Sequence, residues 1–237
     1  MFAGCIGVSF VMGAISLVLQ LIIAIPLGII AATKQYSKAD YAISVFALAG
    51  ISLPTFFFAT LLKLVFSVKL GWFDLVGLTG RDFYQLDAFG QFLDMPHHLV
   101  LPVITLTVIS VGSLMRYTRT NMLEVLNADY IRTARSRGIG TRSLICRHAL
   151  RNALLPVVSY IGPLAAALLT GSFIVETIFA IPGLGRHFVT SIYNRDYTVI
   201  LGITIFYSFL IMMMNLLIDV IYPLLDPRIT IDGKKEG

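Results

Sequence analysis

Five long apolar stretches dominate the sequence, and each carries at most one charged residue. Crossing a bilayer takes about 20 consecutive residues of α-helix, and every stretch is long enough or nearly so. Strands of a membrane barrel would instead alternate apolar and polar side chains over about 10 residues, and these stretches do not alternate. We therefore predict an all-α polytopic membrane protein with five transmembrane helices. They lie at about residues 6–32, 41–67, 97–115, 153–175 and 197–222.

The composition indicates that lipid is the main solvent of this chain. Of its 237 residues, 57% are hydrophobic and 13% are charged, whereas a soluble domain has about 25% charged residues. The mean hydropathy is +0.84. So few charges would not keep this much apolar surface in water. We predict one transmembrane domain over residues 1–237.

Lys and Arg are distributed unequally among the connecting segments, and this predicts the orientation. Thirteen of them follow the first, third and fifth apolar stretches, and four lie in the other two connections. Cytoplasmic loops carry the excess of basic residues in membrane proteins. The loop 116–152 and the C-terminus are therefore predicted to be cytoplasmic, and the N-terminus to lie outside. The same rule explains the eight arginines of that loop, so the net charge of +5 does not indicate a nucleic-acid partner.

The cytoplasmic loop contains an amphipathic pattern. Leu123, Leu126, Tyr130 and Ala134 recur at spacings of 3, 4 and 4 and form one apolar stripe, whereas Arg132 falls on the other side. A helix of this kind either lies flat on lipid or docks in a groove of a cytoplasmic partner. In the second case the apolar residues are the anchors and the arginines meet acidic groups at the rim. The pattern alone leaves both functions open.

The ends of this helix have their own signals. Asp129 is a candidate cap for its second half, and Gly138 is a candidate stop.

Residues 130–138, Tyr-Ile-Arg-Thr-Ala-Arg-Ser-Arg-Gly, are followed at 148–156 by His-Ala-Leu-Arg-Asn-Ala-Leu-Leu-Pro. This pair resembles the cytoplasmic signature of binding-protein-dependent ABC importer permeases, in their oligopeptide, dipeptide and nickel branch. The general signature is Glu-Ala-Ala, three residues and Gly. Here Arg132 and Thr133 replace the Glu and the first Ala, whereas Ala134 and the Gly are retained. Further matches are residues 176–179 with 182–186, 194–197, and Asp219 with 226–229.

The resemblance implies a type I ABC importer permease-like fold and a subunit similar to the first permease subunit of an oligopeptide importer. Its expected partners are two ABC ATPase subunits, a homologous second permease subunit and an extracytoplasmic solute-binding protein, in a bacterial or archaeal plasma membrane. The family normally has six helices and a sizeable extracytoplasmic segment after the first. This chain has neither that helix nor that segment, so an N-terminally shortened form is expected.

The implied function is a non-catalytic permease that moves peptides into the cytoplasm. The sequence has no Gly-x-x-x-x-Gly-Lys-Ser/Thr phosphate loop, so ATP and Mg are expected at the partner ATPases and no cofactor is expected on this chain. The alternatives are a permease for nickel or another small solute of the same branch, and, from a different class, an ATP-independent secondary transporter or channel.

Three groups of residues are the predicted functional ones. The resemblance assigns the cytoplasmic group to ATPase coupling and the outer group to the side that faces the binding protein. For Glu176, a salt bridge to Arg186 or Arg195 is the alternative. The third group has small side chains that either pack helices or line the substrate path. The coupling group is Leu126, Asp129, Tyr130, Ile131, Arg132, Thr133, Ala134, Arg135 and Gly138; the outer group is Glu176, Pro182, Gly183 and Gly185; the third is Gly162, Ala166 and Thr170.

Other polar residues have simpler interpretations. The adjacent His97 and His98 lack a third ligand nearby in the sequence, so no metal site is predicted. Lys63 lies towards the outer end of its helix and is expected to extend its amine to the interface. Asp219 lies near the cytoplasmic interface, where Lys34 or Lys38 is a candidate partner.

Overall fold

The computed structural model describes residues 2–80 and 82–225, and all regular secondary structure in these residues is helical. This confirms the predicted all-α class. Two π-helical turns, Lys63–Lys69 and Leu144–Ala149, and one 3₁₀ turn, Phe83–Gln85, accompany the α-helices. The α-helices are α1 (Phe2–Thr33), α2 (Lys38–Ser52), α3 (Thr55–Leu62), α4 (Ala88–Leu126), α5 (Asp129–Ser136), α6 (Thr141–Ser143), α7 (Leu150–Leu169), α8 (Phe173–Ile178), α9 (Leu184–Tyr193) and α10 (Tyr197–Leu225).

The described residues contain four helical segments that are long and apolar enough to cross a membrane, and a bent pair supplies a fifth. The chain is therefore a multi-pass membrane protein. The bent pair corrects the predicted helix at 41–67, because α2 and the segment Thr55–Lys69 meet at 101°. Leu53 leaves the helical conformation with ψ 125°, as expected for a residue before Pro, and Pro54 has no N–H to continue the helix.

The third and fourth predicted helices also have different bounds. The predicted span 97–115 is the middle of α4, which begins at Ala88 and continues to Leu126. Its 39 residues extend about 58 Å, nearly twice the ~30 Å hydrocarbon core, so the helix projects beyond the bilayer. Residues 116–126, predicted to belong to the cytoplasmic loop with an amphipathic helix from about Leu123, continue α4 without a break. The predicted span 153–175 ends at Leu169, because Gly171 has φ +85° and Ser172 caps the separate helix α8.

The central helices approach closely through glycines. A Cβ on Gly13 of α1 would overlap the Leu168 carbonyl of α7, and one on Gly28 would lie 2.8 Å from the Met115 carbonyl of α4. Small residues at such positions let helix backbones approach each other in lipid. The helices α1, α4 and α7 therefore form the centre of the bundle.

A buried ion pair joins α2 to α4. Asp40 is 3% exposed, and its two carboxylate oxygens accept hydrogen bonds from Arg119 Nε at 2.7 Å and Nη2 at 2.8 Å. The Tyr36 amide donates a further hydrogen bond to Asp40 at 3.0 Å. The carboxylate lies in the first turn of α2, where a negative charge is favourable. The pair therefore fixes the start of α2 against the C-terminal half of α4.

We expect Asp40→Asn to lower the free energy of unfolding by about 2–4 kcal/mol, because a neutral amide leaves the Arg119 charge uncompensated. Thermal unfolding of the purified chain in detergent measures this loss. Lys38→Gln, which removes an exposed charge from the same helix turn, is the control and should unfold like the wild type. Equal stability of the two variants would contradict a stabilising role for the pair.

Candidate functional site

The helix α5 is separate from α4, because the chain turns at Asn127 and Ala128. Ala128 is the capping residue and Asp129 is the first residue of the helix, so the predicted cap at Asp129 is wrong. Gly138 has φ +77°, and its amide donates to the Arg135 carbonyl at 3.0 Å. Few residues other than glycine adopt this conformation easily, and the predicted stop at Gly138 is confirmed.

The apolar side of α5 faces the protein itself. Ile131 is fully buried, and Ala134 is half-buried against the same core. Leu126 packs there too, from the end of α4. The predicted continuous stripe is therefore wrong as a partner-facing surface, because it spans two helices and its aliphatic members contact this chain. The buried residues of this core, which we call the cytoplasmic core, are Ala32, Met122, Ile131, Leu144, Ala149 and Ala153.

The face of α5 that points away from the bundle is polar and basic. Tyr130 is 45% exposed, and its hydroxyl accepts a hydrogen bond from Asn152 Nδ2 at 2.8 Å. Arg132 lies 3.7 Å from Asp129 with both side chains exposed, so this pair contributes little to stability. The exposed face of α5 is therefore cationic. The exposed residues from 130 to 137 are Tyr130, Arg132, Thr133, Arg135, Ser136 and Arg137.

At the other end of the bundle, Glu176 of α8 is fully buried. Its Oε1 accepts a hydrogen bond from the Ser9 hydroxyl of α1 at 2.8 Å. Its Oε2 accepts one from the Arg186 amide at 2.8 Å, and the Gly185 amide also donates to the carboxylate. Ser9 Oγ in turn accepts from the Leu184 amide at 2.8 Å. The carboxylate thus binds the free amides at the start of α9 and ties them to α1.

Glycines surround this carboxylate closely. A Cβ on Gly171 or Gly183 would overlap the Glu176 carboxylate, and one on Gly185 would lie 3.1 Å from Glu176 Oε2. Gly183 and Gly185 are buried, whereas Pro182 between the two helices is exposed. The outer group of predicted residues therefore forms one structural unit, in which only Pro182 reaches the surface. We call Ser9, Gly171, Glu176, Gly183 and Gly185 the outer anchor.

The structure gives the surroundings of three charged groups that the sequence analysis singled out. Glu176 binds the main chain of Arg186, so the alternative of a salt bridge to an arginine side chain is wrong. Lys63 donates a hydrogen bond to the Ile178 carbonyl at 2.8 Å. Asp219 is exposed on α10, and within the described residues it forms no ion pair with Lys34 or Lys38.

The small residues of α7 lie inside this chain. Gly162 is buried, and a Cβ there would lie 2.9 Å from Ile218 of α10. Ala166 and Thr170 are buried on the same side of the helix. The structure thus brings the three residues together against neighbouring helices of the same chain.

His98 contacts the loop that precedes α4. It is 7% exposed, with Nε2 lying 3.1 Å from the Asp74 carboxylate and Nδ1 lying 2.9 Å from the Asp94 carbonyl. The imidazole therefore connects the loop before α4 to the beginning of that helix.

The whole arrangement is that of a type I ABC importer permease. A structure entitled "Inward facing conformations of the MetNI methionine ABC transporter" matches with a TM-score of 0.69 and 15% identity, over 95% of this chain and 96% of that chain. The "Crystal structure of an amino acid ABC transporter with histidines" matches with a TM-score of 0.63 and 14% identity, over 94% and 93%. At these identities the likeness shows the fold.

Sequence similarity defines the family. Residues 24–231 match the family described as binding-protein-dependent transport system inner membrane component, and the chain belongs to it. It is 44% identical to the dipeptide transport system permease protein DppB of Bacillus subtilis, over 96% of this chain and 69% of that protein. It is 43% identical to the oligopeptide permease AppB of the same organism, over 91% and 66%. With the oligopeptide permease OppB of Salmonella typhimurium the identity is 39%, over 94% and 68%.

The chain spans about two thirds of the length of these curated relatives. Members of this family are transport components and not catalysts.

We expect Gly183→Ala to destabilise the outer anchor, because the added methyl group and the Glu176 carboxylate would occupy the same space. Limited proteolysis of the detergent-purified protein should show faster cleavage between α8 and α9, by about tenfold if the local cost is about 1.4 kcal/mol. Gly202→Ala is the matched control, since a Cβ there meets nothing within 4 Å. Identical digestion of both variants would contradict the anchor.

Proposed function

We propose that this chain is a permease subunit of an ATP-driven importer that moves peptides into the cytoplasm. The observation that supports this most is the 44% identity to a dipeptide permease across 96% of the chain. The names of the matched relatives favour peptides over nickel within the branch. ATP and Mg are bound by separate ATPase subunits in this proposal, and none is bound by this chain.

The proposed complex contains two ATPase subunits, a homologous second permease and a solute-binding protein outside the membrane. We place α5 and the C-terminus in the cytoplasm, in agreement with the excess of basic residues on that side. Pro182 and the outer anchor then lie at the opposite surface, where the binding protein delivers its solute. The anchor fixes the position of α9 there, and Pro182 is its exposed contact.

The helix α5 is the proposed coupling element, with its two faces in different roles. Ile131 and Ala134 hold the helix on the cytoplasmic core. Arg132 and Arg135, on the exposed face, meet acidic groups of the ATPase subunit. Closure of the ATPase dimer around ATP moves α5, and the membrane helices follow as nearly rigid bodies.

Uptake by the reconstituted complex tests the function. The tagged chain, purified with its partners from the cell that produces it and placed in proteoliposomes, should import radiolabelled trialanine when ATP and the binding protein are both present. Omission of either should reduce uptake to the background of empty vesicles. Peptide uptake by this chain alone, driven by an ion gradient without ATP, would replace this proposal with a secondary transporter.

The coupling face is tested by reversing its charge. We expect the double variant Arg132→Glu, Arg135→Glu to reduce uptake at least about tenfold and to release the ATPase subunits from the purified complex, because like charges then meet at the contact. Co-purification and uptake are measured together. Lys38→Glu, an exposed reversal on another cytoplasmic segment, is the control and should retain both.

Ala134→Glu is a poorer test, since the new charge would enter the cytoplasmic core and disturb packing as well as docking. A double variant that keeps its ATPases and transports at the rate of the control would exclude the basic face of α5 as the contact.

A further inference from the structure

One face of α4 is polar where the helix leaves the predicted membrane span 97–115. Ser110, Ser113, Tyr117 and Thr120 recur at spacings of 3, 4 and 3, which places them on one side of the helix. None of the four is buried, and Arg116 lies beside them. A face turned to lipid would carry apolar side chains, so this pattern indicates a surface in contact with water or with a polar solute.

Two cavities open on this face, at different depths. One, of about 330 Å³, lies between α2 and α4. The other, of about 200 Å³, lies between α3, α4 and α7. They follow each other along α4, from Thr120 and Arg116 in the first to Ser110 and Ile109 in the second. The first is lined by Ser44, Leu48, Arg116, Arg119 and Thr120.

Arg116 supplies the available charge of the first cavity. Arg119 is already neutralised by Asp40 through two hydrogen bonds of 2.7 and 2.8 Å. Arg116 is exposed, and no carboxylate of the described residues forms an ion pair with it. A guanidinium at the edge of the bilayer, beside the Thr120 hydroxyl, is suited to bind a carboxylate through two parallel hydrogen bonds.

We propose that Arg116 binds the C-terminal carboxylate of the peptide in the cytoplasmic half of the translocation path, along the polar face of α4. This inference rests on the proposed function and names a contact between this chain and its substrate. The peptide follows the face from the cavity at Ser110 to the cavity at Arg116, and its carboxylate replaces water on the guanidinium. Tyr117, whose ring lies 5.0 Å from that of Tyr160 on α7, forms the aromatic edge of this path.

The experiment compares two probes that differ only at the carboxylate, trialanine and its C-terminal amide. The complete transporter is reconstituted in proteoliposomes, and both probes are supplied at concentrations that saturate the binding protein. Arg116→Gln should reduce uptake of trialanine about tenfold and uptake of the amide less than about twofold, as expected for loss of one charge-assisted contact. Arg116→Lys should restore most of the trialanine uptake.

In the wild type, the ratio of trialanine uptake to amide uptake includes the preference of the binding protein. Dividing the ratio measured for each variant by the wild-type ratio removes that preference. Arg142→Gln, an exposed arginine of the cytoplasmic loop outside the cavity, is the matched control and should leave both rates unchanged.

If Arg116→Gln lowered the uptake of both probes equally, the inference would be overturned, because loss of an ion pair with the second permease would have that effect. Unchanged uptake of both probes would also overturn it. A selective loss that persists in vesicles of phosphatidylcholine alone supports the inference, whereas its disappearance there would assign Arg116 to an anionic lipid headgroup. Absence of uptake of both probes by the wild type would instead overturn the proposed function itself.

Discussion

Lipid provides no hydrophobic force between helices, so a bundle in a membrane is held by close backbone contact and by buried polar groups. This chain uses both. Glycines bring α1 against α7 and α4. Two buried carboxylates then fix the ends of the bundle: Asp40 joins α2 to α4, and Glu176 joins α8 to α1 and α9.

The two carboxylates are compensated in different ways. Asp40 has a full opposite charge on Arg119 and lies at the end of the bundle that we place in the cytoplasm. Glu176 has main-chain amides and one hydroxyl, supplied where α9 begins. Amides at a helix start carry a partial positive charge and need acceptors, so the same hydrogen bonds satisfy the helix end and the buried carboxylate. The short segment from α8 to α9 is therefore ordered by hydrogen bonds between the Glu176 side chain and backbone amides at the start of α9.

The sequence predicts the features that depend on residue type along one segment. Apolar length predicts the membrane helices, and Gly138 predicts where α5 stops, since both follow from local chemistry. The bend at Pro54 had a local signal as well, but the apolar run continues across it. The sequence predicts the end of the third membrane helix at residue 115 because charge marks the end of a hydrophobic run, whereas the helix itself can continue into water beyond the bilayer.

Features that depend on distant residues were not predictable in the same way. The stripe through Leu126 and Ala134 correctly separates apolar from polar residues, but the pattern does not reveal whether the apolar side meets a partner or this chain. Glu176 finds its partners in the backbone of Arg186 and the hydroxyl of Ser9, which lies 167 residues away. The sequence indicates the tight packing around Glu176 only through the glycines on both sides of it, Gly171 and Gly183.

The cytoplasmic core explains how a short helix transmits motion to a whole bundle. Ile131 of α5 packs in the same cluster as Ala32 of α1, Met122 of α4 and Ala153 of α7, so a displacement of α5 acts on three membrane helices together. The Asp40 pair links α2 to the same part of α4. Arg116 of α4 precedes the start of α5 by 13 residues, which correspond to about 20 Å of helix. In the proposed cycle, the rigid connection through α4 thus moves the cationic end of the path whenever the ATPases move α5.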